Sequence, residues 1–197
     1  MNCPIPTVSL WVLFINTLFI NQPMKQLSDY VTTIPNFPKE GIMFRDVTSV
    51  VQDPEGLKLA VDGLVAGLKG VDFDIIVGSE SRGFLFGAPV AYAMGKGFVM
   101  VRKKGKLPRE VIAEDYELEY GTATVEMHTD AIKPGQKVVV IDDLIATGGT
   151  TEAIVKMVEK LGGEIVKMGF VMSLEGLNGM KKFEKYHPYA LISYPGN

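Results

Sequence analysis

Residues 138–153 read VVVIDDLIATGGTTEA. An apolar run ends in two adjacent carboxylates, Asp142 and Asp143, and a stretch of Thr and Gly follows at once. Ionised carboxylates are costly to remove from water. The pair is therefore expected at a strand mouth, facing water, a metal or a ligand rich in hydroxyl groups. The following residues Ala146, Thr147, Gly148, Gly149 and Thr150, with Thr151 beside them, have the make-up of an anion cradle. A strand that turns into a helix presents unpaired backbone N–H groups and the positive end of the helix dipole. Small residues let that backbone approach an anion closely, and threonines add hydroxyl donors. The Gly-Lys-Ser/Thr ending of a Walker A loop is missing, and no G-x-G-x-x-G follows the strand. A ligand with its phosphate in this loop brings its next atoms against the two carboxylates, which accept hydrogen bonds from vicinal hydroxyls. Ribose 5-phosphate has that shape.

Two further stretches carry charge suited to a phosphorylated ligand. Ser79-Glu80-Ser81-Arg82-Gly83 lies between an apolar strand pattern and a helical one. Backbone N–H groups at such a turn suit an anion, and a guanidinium matches phosphate bidentately. Arg102, Lys103, Lys104 and Lys106 cluster around Gly105. Runs of charge are commonly solvated surface, but a polyanion needs cations and no other cluster in the chain is this dense. His128 and His187 lack partners at metal-ligand spacing and read as structural or surface residues.

The elements that must position these residues follow from periodicity. From residue 24 onward the chain alternates apolar strand-like runs with amphipathic helical runs, the pattern of an α/β domain. Asp53-Pro54-Glu55 starts a helix: an acid at the cap, proline at the first position and an acid near the positive end. Leu57, Ala60, Val61, Leu64, Val65 and Leu68 continue it at helical spacing, and Gly70 closes it. Residues 73–78, 97–102, 122–127, 137–141, 165–174 and 189–194 read as strands, and residues 83–95 as a helix with Pro89 as its weak point. Ala153, Ile154, Met157, Val158 and Leu161 form one face of a helix that ends at Gly162-Gly163. Residues 103–121 are charged and poor in apolar side chains, and are expected to be a long exposed loop, a functional lid.

The chain has 197 residues, 47% of them hydrophobic and 22% charged, which is enough for one globular domain with a real core. A net charge of -3 implies no bulk attraction to nucleic acid. A single cysteine, Cys3, excludes an internal disulfide and any multi-cysteine metal site. It fits a reducing compartment. Residues 1–23 differ from the rest: VSLWVLFINTLFI is uncharged and apolar, yet it lacks the basic flank and cleavage site of a signal peptide. It is also shorter than a usual membrane span and is broken by Asn16 and Thr17. Residues 1–23 are expected to be an extension outside the fold, with a single domain over 24–197 and no membrane attachment.

The motif VVVIDDLIATGGTT resembles the 5-phosphoribosyl 1-pyrophosphate (PRPP) binding motif of type I phosphoribosyltransferases. FPKEGIMFRDVT (37–48), VGSESRGFLFG (77–87), RKKGKLP (102–108) and YELEYG (116–121) resemble the adenine branch of that family. The resemblance runs from about residue 24 to the end of the chain. It implies an α/β fold with a mostly parallel central sheet flanked by helices, a small N-terminal hood and a flexible lid loop. It also implies a reaction: adenine and PRPP give AMP and pyrophosphate, with Mg²⁺ carried by PRPP, in a cytoplasmic homodimer that binds no nucleic acid.

Site roles follow from the same resemblance. The loop Ala146 to Thr150 would hold the ribose 5-phosphate, and Asp142 and Asp143 the ribose hydroxyls. Ser81, Arg82, Arg102, Lys103 and Lys106 would hold pyrophosphate. Met43, Phe44 and Arg45 would meet adenine, with Leu144 closing the pocket from the opposite side. Glu119 would relay charge at the base, Tyr120 would cover the site, and Arg82 would act in catalysis beside them. The sequence departs from the family at Glu80, where many members have aspartate, and at Arg109, where glycine often follows the proline. Transfer to another purine (xanthine or hypoxanthine), or a PRPP-sensing regulator without catalysis, are the alternatives. Such a regulator would usually carry a DNA-binding helix-turn-helix or a basic RNA-binding face, and neither is seen.

Overall fold

The computed structural model describes residues 25–118 and 121–196. The apolar segment 1–23 and the two lid residues Glu119 and Tyr120 lie outside the described residues. A two-stranded antiparallel hood, β1 (Thr32–Pro35) with β2 (Met43–Asp46), precedes the main body. Then follow α1 (Thr48–Gln52), α2 (Pro54–Gly67), β3 (Ile75–Ser79), α3 (Arg82–Ala93) and β4 (Gly97–Lys103). The chain continues through β5 (Val111–Leu118), β6 (Gly121–His128), β7 (Lys137–Ile145), α4 (Gly149–Lys160), β8 (Glu164–Leu174) and β9 (Pro188–Tyr194).

The seven-stranded sheet has the order β5-β6-β4-β3-β7-β8-β9. Strands β4, β3, β7, β8 and β9 are parallel, and the hairpin β5–β6 joins antiparallel to the β4 edge. The alternation of β7 explains why both faces are covered. Val138 and Val140 pack in one core with Ala153, Ile154, Met157 and Val158 of α4. Val139 and Ile141 point the other way, into a core with Ala60 and Leu64 of α2 and Phe86 and Val90 of α3. A run apolar at every position thus belongs to a strand buried on both faces.

Local signals hold where they are strong. Asp53 caps α2, its carboxylate accepting from the N–H groups of Glu55 and Gly56 at 2.9 and 3.1 Å. Helix α4 stops at Lys160, and Gly163 N–H closes back on the Val158 carbonyl at 2.9 Å. Helix α3 runs unbroken through Pro89. One expectation is overturned: residues 103–121 are not a loop throughout. Val111–Leu118 pairs with Gly121–His128 in an eight-residue antiparallel ladder. Ile112, Glu114 and Tyr116 face inward on alternate positions, and Glu114, an acid on the covered side, is matched by Lys160 at 2.6 Å. That inward charge hides the strand alternation from a reading by hydrophobicity alone.

Candidate active site

From β3 the chain winds outward to β4 on one side, then crosses to β7 on the other. The carboxyl ends of β3 and β7 therefore lie side by side at a switch point, where open α/β sheets form their ligand crevice. A cleft of about 380 Å³ occurs there. It is lined by residues 79–82, residues 142–151, Lys103, and Tyr116 and Glu117 of β5. The cradle, the acid pair and the Ser-Arg turn, far apart in sequence, thus share one wall. Gly148 has φ +84°, a left-handed conformation that glycine adopts without penalty, and it caps α4. Residues 149–151, the first of α4, line the cleft, and the first N–H groups of a helix have no partner within it, as an anion site requires.

Asp142 and Asp143 line the cleft near the carboxyl end of β7. They are 7% and 6% exposed, and they are compensated from within. Asp142 accepts from the Ser79 hydroxyl and, through Oδ1, from the N–H of Asp143 at 2.9 Å. Asp143 Oδ2 pairs with Arg82 Nε at 2.7 Å. Burial, and then the neighbouring charge of Asp143, push the Asp142 carboxyl well above the usual aspartate range. Burial also raises Asp143, against the opposing pull of the Arg82 guanidinium. A carboxylate has about four acceptor sites, so these internal bonds leave both groups able to accept more at the cleft wall.

The basic cluster divides. Lys103 lines the cleft. Arg102 Nε and Lys106 Nζ lie 3.2 and 3.8 Å from the carboxylate of Glu80. Ser81, at the foot of α3, lines the cleft beside Arg82.

The expected base-binding residues are not gathered into one cavity. Leu144 is on the main cleft. Met43 and Arg45 line a pocket of about 40 Å³ with Leu174 and Tyr194, and the Arg45 guanidinium stacks over the Tyr194 ring at 4.3 Å. Arg45 also donates to the Thr33 hydroxyl. Phe44 packs edge-on against Phe37, 5.1 Å between centroids. Tyr116 and Glu117 were absent from the sequence-derived site. The alternation 112, 114, 116 is the signal that could have found Tyr116, whereas Glu117 is exposed on the other face and carries no such signal.

Comparison with known proteins gives the family. The phosphoribosyl transferase domain family matches residues 52–193. The adenine phosphoribosyltransferase of Agathobacter rectalis is 62% identical over 173 residues, covering 88% of this chain and 99% of that protein. This chain belongs to the adenine phosphoribosyltransferase family. The adenine phosphoribosyltransferase of Thermoanaerobacter pseudethanolicus superposes with a TM-score of 0.82 at 47% identity, over 86% of this chain and all of that one. The enzyme from Saccharomyces cerevisiae, solved with an imino-altritol bisphosphate and adenine, gives 0.78 at 41% identity, over 84% and 96%. The parallel sheet with its flanking helices is the fold of these family members. Among the described residues no helix is long and apolar enough to cross a membrane. Among the same residues no three His, Cys, Asp or Glu groups are placed to hold a metal ion.

Proposed function

We propose that this enzyme of purine salvage makes AMP and pyrophosphate from adenine and PRPP in the cleft between β3 and β7. The observation that carries the reading is the convergence of an anion cradle, a paired-acid wall and a cationic turn on one cavity. It is joined to 62% identity with an adenine phosphoribosyltransferase along nearly its whole length. Relatives of that name weigh against another purine or a silent regulator.

In this reading the N–H groups and hydroxyls of residues 146–151 bind the 5-phosphate. Asp142 and Asp143 accept from the ribose 2- and 3-hydroxyls. Arg82, the Ser81 backbone and Lys103 face the leaving pyrophosphate, with Arg102 and Lys106 behind them. Displacement at C1 passes through an oxocarbenium-like centre, so the protein's share is mainly placement and fixed charge. Adenine attacks through N9, the C1–O bond to pyrophosphate breaks, and the N9 proton must leave. Glu119 is assigned to take up, through N7, the proton that the base gives up and to release it with the products, and Tyr120 to cover the site, excluding water. Met43, Phe44, Arg45 and Leu144 are assigned to the base.

The donor set fits Mg²⁺ that arrives on PRPP. Mg²⁺ keeps several waters and needs few protein ligands, and Asp142 already holds Ser79 and Asp143 holds Arg82 as a partner. Asp142 and Asp143 would meet such an ion through its waters. Its chemistry would be to neutralise charge on the pyrophosphate. A cytoplasmic homodimer completes the proposal. Leu85 and Tyr92, seven residues apart on α3 and so on one face, are 43% and 89% exposed, apolar surface suited to a second copy.

The test is AMP formation from PRPP and Mg²⁺ with adenine, hypoxanthine, guanine and xanthine in parallel. Turnover restricted to adenine supports the proposal. No turnover with adenine overturns it.

A further inference from the structure

The turn that carries the basic cluster is held by its backbone. Three consecutive N–H groups each meet an acceptor on another strand or turn. Lys103 N–H donates to Glu80 Oε2 at 3.0 Å, Lys104 N–H to the Thr124 carbonyl at 3.2 Å, and Gly105 N–H to Glu126 Oε2 at 2.8 Å. Arg102 Nη1 bridges to the Lys106 carbonyl at 3.3 Å, closing the turn on itself. Glu126 stands directly opposite Arg102 in the β4–β6 register and is 6% exposed. A buried carboxylate is costly unless it is well bonded. Here its oxygen is spent on a main-chain amide, so what it stabilises is the path of the turn. Reacting groups need their supporting residues locked by such bonds, because small displacements cost rate or affinity.

We propose that Glu126 is a positioning residue for the pyrophosphate end of PRPP. Through the Gly105 N–H it fixes the turn from which Lys103 reaches the cleft, while Glu80 holds the opposite end of the same turn. The proposal rests on the reading that this turn binds pyrophosphate.

Glu126→Ala removes the acceptor. Its KM for PRPP, and the Kd for pyrophosphate added with AMP, should rise roughly tenfold, the scale of one charged hydrogen bond. The KM for adenine and kcat should stay within about twofold, since nothing on the base side is touched. Glu126→Gln keeps an oxygen within reach of the Gly105 N–H, and should stay within about threefold of the parent for PRPP. Glu126→Asp keeps the charge but withdraws it by one methylene. It should behave as Glu126→Ala does, and it serves as the test should the alanine variant not fold.

Lys103→Ala, measured alongside, separates the two ideas. If Lys103→Ala raises the KM for PRPP and neither Glu126→Ala nor Glu126→Asp does, the positioning role is overturned and the pyrophosphate site stands. If none of the three moves it, the pyrophosphate reading falls and the positioning role falls with it. A loss of kcat, both KM values and melting temperature together in Glu126→Asp also overturns the proposal, because it marks a purely structural role.

Discussion

A Cβ built on Gly83 falls 2.5 Å from Asp142 Oδ1 and 3.3 Å from the Ser79 hydroxyl oxygen. The first turn of α3 thus lies against the acid pair of β7 with no room for a methyl group. Gly83→Ala must push Asp142 off Ser79 or shift the helix. Overpacking of this kind costs about 1–3 kcal/mol. The expected outcome is a melting temperature lower by roughly 2–12 °C for a chain of this size, with a raised KM for PRPP. Thermal denaturation and steady-state kinetics check it, and an unchanged KM would count against Asp142 at the ribose.

Arg82 is the only cation paired with Asp143 among the described ion pairs. Its side chain is 41% exposed, so solvent screens part of the interaction and the stability loss in Arg82→Ala should be modest, about 1 kcal/mol. Activity should suffer far more. Removing a group that stabilises developing charge typically costs about 10²–10³ in kcat. Arg82→Lys restores charge without the fork geometry, and should recover stability better than turnover.

The pH dependence of stability should run opposite to that of a salt-bridged acid. Burial raises Asp142 in the folded protein. The native state therefore binds a proton that the unfolded chain has lost at intermediate pH, and stability declines as pH rises from the ordinary aspartate value through the folded one. Asp142→Asn removes Asp142's part of that slope, leaving the part Asp143 contributes. At pH 7 to 8 it should melt above the parent, while its use of PRPP collapses. A variant less stable than the parent at pH 8 would contradict the assignment.

Glu119 lies outside the described residues, and its role is tested by kinetics. Glu119→Ala should lower kcat by about 10²–10⁴ with PRPP affinity nearly kept. Asp143→Asn should do the reverse, raising the KM for PRPP first. Near-full activity in Glu119→Ala would remove it from the mechanism.

Much of this was legible in the chain because the signals were local. The run 138–141, apolar at every position, reads as a strand, and Asp53-Pro54-Glu55 as a helix start; the structure bears out both. The cradle after β7 follows from residue type alone. What lies behind Asp142 and Asp143 is not legible in this way. Their compensation comes from Ser79 and Arg82, about sixty residues away, and no window of sequence contains both halves. Strand β5 was missed because its inward Glu114 is answered by Lys160 on a helix that follows much later. The Glu126–Gly105 bond is likewise a cross-strand relation, invisible until the register is known.

The β5–β6 ladder has a thermodynamic consequence. A free segment that closed over the substrate in every cycle would lose roughly 1–2 kcal/mol of backbone entropy for each residue it ordered. Here eight residues on one side are already paired with β6, and β6 is joined to β4. Most of that ordering is completed once, when the chain folds. Binding energy from PRPP is then left for the chemistry rather than spent on ordering these residues.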